Sequence, residues 1–243
     1  MPDWLTDRPI AHRGLHDAAS GVIENTATAF KTAIAGNYAI ETDLQISADG
    51  EAMVHHDDVL GRLTEGEGRL DARPAAELKG VPFRATKDRM LMLPEFCELV
   101  AGRATLVIEM KSRYDGDVRL PRRTAAVLKD YKGPVAVMSF DPAQVAALRD
   151  FAPDLTRGLV AQRPDRTHDK HPSTGAAAKF VLQALSARLQ FLAYRVSDLP
   201  SPVPGFARNV LGLPLLTWTV RTDEDRRRAA QHADQIIFEG FRP

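Results

Sequence analysis

The chain predicts a closed α/β barrel of the (β/α)8 type, with a small insertion after the second strand and a curtailed C-terminus. Three observations carry this. Eight short apolar runs alternate with helical patterns, which argues for a parallel sheet. The 243 residues match the roughly 250 that one such barrel needs. Chemistry-bearing residues stand at the C-terminal ends of several different runs, and a closed barrel gathers those ends on one face. An open doubly wound sheet would also alternate, but no Gly-x-Gly-x-x-Gly follows the first strand.

The expected strands, in order, are 10–12, 39–44, 105–110, 135–138, 158–161, 191–196, 215–220 and 235–238. Between them, helices are expected over 27–35, 120–131, 142–151, 176–188 and 223–232. Thr26, Asp141 and Asp223 are the expected caps, because a short side-chain oxygen can accept from the first free N–H groups. Pro142 suits a first helical position, where its missing N–H is not needed. The stretch from about 45 to 92 is too long for an ordinary loop. Its Asp49-Gly50 pair signals a hairpin, and the rest reads as an insertion over the barrel mouth. The expected organisation is one domain over 1–243.

Composition excludes several classes. The chain is 44% hydrophobic and 26% charged with zero formal net charge, an ordinary globular balance. Arg226-Arg227-Arg228 follows Asp223, Glu224 and Asp225, which reads as a solvated helix with acids at the positive end of its dipole, not a nucleic-acid patch. No apolar stretch approaches the ~20 residues of a membrane span. Cys97 is the one cysteine, so no intrachain disulfide forms; a cytoplasmic location and a buried, inert thiol are expected.

Side chains two apart on a strand share a face. Glu41 and Asp43 therefore point together, as do Val107, Glu109 and Lys111. If Ile40, Leu44, Ile108 and Met110 pack outward on helices, the acids face the mouth. Three converging carboxylates would raise one another's pKa, and a hard divalent cation relieves that. All-oxygen donors favour Mg²⁺ or Ca²⁺, with Mn²⁺ also compatible. Arg13 and Lys111 offset two of the three acidic charges. One bound divalent cation then leaves the site positive by one, which a phosphodiester anion neutralises. Arg13 and Lys111 are thus candidate phosphate anchors. His12 and His56 are candidates for general acid and base, since imidazole titrates near 6.5.

Other features carry less. His168 and His171 lie in a polar loop over 163–174 and read as solvated. Ser139 lacks a nucleophile elbow. Glu95 and Glu98 decorate a helix. Trp218 shares a face with Leu216 and Val220, as core or as mouth lining.

Taken together, His12-Arg13-Gly14, Glu24-Asn25-Thr26, Glu41-Thr42-Asp43, His56-Asp57, Arg62-Leu63-Thr64 with Gly66 and Gly68, Leu93-Pro94-Glu95 and Ile108-Glu109-Met110-Lys111 resemble the glycerophosphodiester phosphodiesterase family. Ser139-Phe140 and Trp218-Thr219-Val220 are similar to weaker late motifs of that family. The resemblance implies a TIM barrel and hydrolysis of glycerophosphodiesters to sn-glycerol 3-phosphate and an alcohol, within glycerol and lipid metabolism. It implies one divalent cation on Glu41, Asp43 and Glu109. It also implies His12 and His56 as the catalytic pair, and Arg13, Lys111, Glu24 and Trp218 as substrate-binding residues. The expected partner is a small molecule, with no nucleic acid; an oligomer is compatible.

Two departures stand out. Ile236-Ile237-Phe238-Glu239-Gly240-Phe241 replaces the family's usual Ile-Thr-Asp/Asn-x-Pro, which places Phe238 and Glu239 near the mouth and bears on substrate preference. The chain ends at Pro243 without a final helix, so the outer face of the last strand needs cover from residues before Ile10 or from another subunit. Two alternatives remain. One is a phospholipase-D-like activity on lysophospholipids, which would need an apolar track such as Phe206, Trp218, Phe238 and Phe241. The other is a non-catalytic barrel that binds phosphodiesters.

Overall fold

A computed structural model describes residues 3–163 and 186–243. Along the chain the elements are β1 (Ile10–Ala11), α1 (Ala27–Ala35), β2 (Ala39–Ile46), β3 (Ala52–Val54), α2 (Ala75–Gly80), α3 (Leu93–Val100), β4 (Leu106–Met110) and α4 (Arg119–Leu128). They continue as β5 (Val135–Ser139), α5 (Pro142–Phe151), β6 (Thr156–Ala161), β7 (Phe191–Arg195), α6 (Pro202–Asn209), β8 (Leu215–Val220), α7 (Asp223–His232) and β9 (Gln235–Phe238). All strands except β3 pair in parallel, and β1 pairs with both β2 and β9, which closes an eight-stranded barrel. It is a TIM barrel, as expected. The expected helix over 176–188 falls almost wholly outside the described residues, and so do His168 and His171.

The strands are buried on both faces and so read as apolar runs. Ile40, Leu44, Ile108 and Met110 do point outward, into a core shared with Phe30 of α1 and Phe96 of α3, whose ring centroids are 4.5 Å apart. Inside the barrel, Ile10, Val107, Met138, Val160, Phe191 and Leu216 form a second column. Gly158 makes room for it: a Cβ there would lie 2.4 Å from the Phe191 ring. Leu5 and Trp4 join the same column, with the Trp4 carbonyl accepting from Thr105 Oγ1 at the start of β4. The segment before β1 therefore plugs the barrel floor rather than covering the outside of the last strand.

That outer face is covered by the chain itself. Phe238 packs outward against Tyr38 (5.0 Å) and Phe241 (5.4 Å). The expectation that Phe238 sits near the mouth is thus wrong: neighbouring residues on a strand face opposite ways, so outward Phe238 sends Glu239 to the site. A second correction concerns Val220. The β8–β9 register shifts between Thr217 and Val220. This bulge puts Val220 in the outer core, while Leu216 and Trp218 stay inside.

Local signals behave mostly as expected. Thr26 and Asp141 cap α1 and α5. At α7 the cap is Thr222, not Asp223: Thr222 Oγ1 accepts from Asp225 N at 3.1 Å, and Asp225 Oδ2 accepts from Thr222 N at 3.1 Å, a reciprocal box. Helix α4 ends at Leu128, short of Tyr131, whose hydroxyl instead accepts from Gly102 N at 3.1 Å. The insertion starts as the β2–β3 hairpin and has its own apolar cluster of Met53, Leu60, Leu70, Leu78, Phe83 and Met90. Cys97 is buried in α3, and burial raises its thiol to about 12, consistent with an inert group. Among the described residues, no helix is long and apolar enough to cross a membrane.

Candidate active site

Register brings the acids together. Asp43 on β2 lies directly beside Glu109 on β4, and Glu41 beside Val107. The carboxylates of Glu41, Asp43 and Glu109 offer oxygens within 4.8 Å of one another, all buried. Lys111 Nζ lies 2.8 Å from Asp43 Oδ1 and 2.6 Å from Glu109 Oε1. Arg13 Nε lies 3.2 Å from Asp43 Oδ2, and its Nη1 donates to Glu24 Oε1 at 2.7 Å.

These contacts divide the acids. Burial pushes the Glu41 carboxyl well above its usual range, and Asp43 and Glu109 push it further. Burial foremost also raises Glu109. Burial would raise Asp43 too, but Lys111 and Arg13 outweigh it and hold Asp43 far below the usual range. A cluster of three buried carboxylates, two of them reluctant to ionise beside the third, fits a hard divalent cation that would compensate all three.

The loop after β1 has unusual backbone. Arg13 (φ 56°) and Gly14 (φ 81°) are left-handed, and Asn25 (φ 56°) matches them across the entry to α1. The turn lets Arg13 N donate to Glu41 Oε2 at 2.9 Å and Gly14 N donate to the Glu41 carbonyl at 3.2 Å. Asn25 Nδ2 donates to Asp43 Oδ2 at 2.9 Å, while Asn25 Oδ1 accepts from Thr42 Oγ1 at 2.8 Å. At Gly14 a Cβ would meet Ala29 at 2.9 Å in a conformation that L side chains rarely adopt. Gly14→Ala is therefore expected to destabilise the protein by about 2 kcal/mol. A lowered urea midpoint with an unchanged slope would show it.

Both histidines are tied through Nδ1. His12 Nδ1 is 2.8 Å from Glu239 Oε2, which also accepts from Arg221 Nη2 at 2.9 Å. His56 Nδ1 is 2.7 Å from Asp57 Oδ1, and Arg62 Nε donates to Asp57 Oδ2 at 2.5 Å. A carboxylate only accepts, so in the neutral rings Nδ1 carries the proton and Nε2 is left as acceptor. Burial, partly offset by these carboxylates, lowers both imidazoles. The hydrogen bond from His12 is the main force that holds Glu239 at about 2. For Asp57, burial works upward, but hydrogen bonds from Arg62 and His56 prevail and hold it at about 2.

A depressed carboxyl contributes stability that is complete above its unfolded value, near 3.8 for Asp57, and is lost as pH falls through the folded one. The part of the stability gap between wild type and Asp57→Asn that comes from the Asp57 carboxylate should therefore be complete above about pH 4 and narrow below it. Urea midpoints across that range test this.

His12, Arg13, Glu41, His56, Glu109 and Lys111 all line one cavity of about 530 Å³ at the C-terminal ends of the strands, and Trp218 lines its wall. Asp43 lies beneath, 1% exposed. Glu24 is different: it accepts from Arg13 and Arg62 and does not line the cavity. Sequence reasoning missed Glu239, Arg221, Arg62 and Asn25 as supports of this site. Asn25 and Arg62 lay in recognised motifs and Glu239 was expected near the mouth, but none was assigned its supporting contact; nothing local to Arg221 signals a role. Of the four aromatics suggested for an acyl track, only Trp218 lines the cavity. Phe206 is 52% exposed on α6, and Phe238 and Phe241 pack on the barrel's outside.

Acids ready for a cation, flanked by cations and two oriented imidazoles at the mouth of a parallel barrel, define the class of phosphoric diester hydrolases. The sequence pattern described as Glycerophosphoryl diester phosphodiesterase family matches residues 12–239, and the chain belongs to that family. It is 29% identical over 229 residues to a glycerophosphodiester phosphodiesterase of Caldanaerobacter subterraneus subsp. tengcongensis, covering 90% of this chain and 88% of that protein. In fold it is similar to an Oleispira antarctica phosphodiesterase solved with the product sn-glycerol-3-phosphate (TM-score 0.77, 20% identity, 95% of this chain and 91% of that one). It is likewise similar to a glycerophosphodiester phosphodiesterase from Thermotoga maritima (TM-score 0.73, 23% identity, 94% and 92%).

Proposed function

We propose that the chain hydrolyses glycerophosphodiesters to sn-glycerol 3-phosphate and an alcohol in a divalent-metal-dependent reaction, with His12 and His56 as the acid/base pair. The observation that carries this is the matched pair of imidazoles, each bonded through Nδ1 to a carboxylate, beside the buried acids. Glu41, Asp43 and Glu109 would hold the cation, which supplies Lewis-acid charge to the phosphoryl oxygens. Arg13 and Lys111 line the cavity beside those acids and are suited to neutralise the phosphate. One imidazole accepts a proton from the attacking hydroxyl at Nε2; the other, protonated, donates from Nε2 to the departing alkoxide. The roles then reverse on return to the starting state.

Trp218 and Phe140, edge to face at 5.4 Å, offer an apolar wall to the glycerol or the alcohol. The short apolar wall favours small water-soluble diesters over lysophospholipids. A cytoplasmic location belongs to the same proposal and rests on the lone buried cysteine.

The test is glycerol 3-phosphate release from a panel including glycerophosphocholine and glycerophosphoethanolamine, with Mg²⁺, Ca²⁺, Mn²⁺ or EDTA. The expected result is release with at least one metal and none in EDTA. Release undiminished by EDTA would remove the metal from the reading, and no release under any condition would remove the reaction. A cyclic phosphate formed first would identify the substrate's own hydroxyl as the attacking group.

A further inference from the structure

On the far side of the His12 ring from the carboxylate cluster lies a second group of donors. His12, His16 and Glu239 offer ligand atoms within 4.8 Å of one another. Two of the three are already in contact, His12 Nδ1 and Glu239 Oε2. On the third residue, His16 Nε2 is buried without a hydrogen-bond partner among the described residues. A buried ring nitrogen left unpaired is costly unless something occupies it. The turn at Arg13 and Gly14 brings His16 back toward β1, with His16 N donating to the Gly14 carbonyl at 3.0 Å.

The donor chemistry differs from that of the first cluster. Three carboxylates select hard ions, whereas two imidazoles and one carboxylate suit a borderline ion such as Zn²⁺. Tetrahedral zinc sets its donors about 3.3 Å apart, so the His12–Glu239 pair at 2.8 Å would open slightly to admit the ion. Arg221 opposes a cation here through its contact with Glu239, but its side chain is 53% exposed and free to turn to solvent.

We propose that His12, His16 and Glu239 form a second cation site, selective for Zn²⁺, whose occupation inhibits the enzyme. Zinc at Nδ1 takes the place of the proton shared with Glu239, and the single ring proton then sits on Nε2. His12 Nε2 stands 3.9 Å from Glu41 Oε2, so the ring spans both clusters. With zinc on one edge, the other edge no longer accepts a proton. The inhibitory half of the proposal rests on the function proposed above; the binding half does not.

The experiment titrates Zn²⁺ into the full chain with Mg²⁺ in large excess, for wild type and for His16→Gln, with His16→Ala as the second variant should the first not fold. Bound zinc is read by competition with a chromogenic chelator and, separately, the rate of glycerol 3-phosphate release is followed. We expect wild type to bind one zinc and lose most of its rate, and His16→Gln to keep the Mg²⁺-supported rate. The variant should need at least about tenfold more zinc for both effects, the least that loss of a ligand should cost when disturbing a ligand's support alone costs 10- to 100-fold. Equal zinc binding by wild type and variant, or inhibition relieved by adding Mg²⁺, would place zinc at the three carboxylates and overturn the site. Zinc bound through His16 without loss of rate would overturn the inhibition. Because chelator competition needs no turnover, a protein that cleaves no diester would fail the functional proposal and still report on the site.

Discussion

His12→Ala and His56→Ala are each expected to lower kcat by about 10²- to 10⁴-fold with KM little changed. In the proposed mechanism neither imidazole carries the phosphate charge, which falls to Arg13 and Lys111. The two rings serve one proton cycle, so the double variant should be scarcely worse than either single one. Steady-state kinetics at saturating metal distinguishes this from simple loss of binding, which would raise KM and spare kcat. Substitutions behind the rings should act more mildly. Asp57→Asn keeps an oxygen that accepts from His56 Nδ1 while losing the charge, and should fall between wild type and His56→Ala. If both histidine variants retained full kcat, the proton transfers would have to be assigned elsewhere.

Asp43→Asn is expected to cost about 3–5 kcal/mol of stability, because it strands the buried ends of Lys111 and Arg13 without their shared partner. For a chain of this length that corresponds to a fall in Tm of roughly 10 °C. Glu41→Gln provides the contrast. Burial foremost, with Asp43 and Glu109, raises the Glu41 carboxyl well above its usual range, so replacing it by a neutral amide should cost less than at Asp43. The amide can still accept from Arg13 N, as Glu41 Oε2 does. In EDTA, Glu41→Gln should therefore melt close to wild type while Asp43→Asn melts well below it. With metal present, both should lose activity, since each removes a proposed ligand. Thermal unfolding with and without EDTA separates a role in metal binding from a role in internal charge balance. Equal melting of the two variants would contradict the division of the acids.

Much of this was legible in the sequence because it depends on short-range periodicity. The two-residue alternation in Glu41-Thr42-Asp43 and Glu109-Met110-Lys111 determines which face meets the helices and which meets the mouth. The apolar partners Ile40, Leu44, Ile108 and Met110 pack outward as that alternation requires. Thr26 and Asp141 cap their helices through oxygens two or three residues from the N–H they satisfy. What escaped depends on distance or register. Glu239 meets His12 across 227 positions, and no local pattern announces that. Arg62 reaches Glu24 and Asp57 from within the insertion. Val220 is displaced by a bulge that a uniform strand pattern does not encode. Glu24 is paired with two guanidinium groups, Arg13 and Arg62, an arrangement its local sequence does not encode.

The two tryptophans stand at opposite ends of the barrel axis, Trp4 at the plugged floor and Trp218 in the wall of the mouth. Intrinsic emission is therefore a two-ended optical reporter. In a Trp4→Phe protein all indole fluorescence comes from Trp218, close enough to the site to change with an occupant. In a Trp218→Phe protein it comes from the floor, which stays silent on occupancy and responds when the barrel opens. Paired, the two proteins would resolve ligand entry from unfolding without any added label.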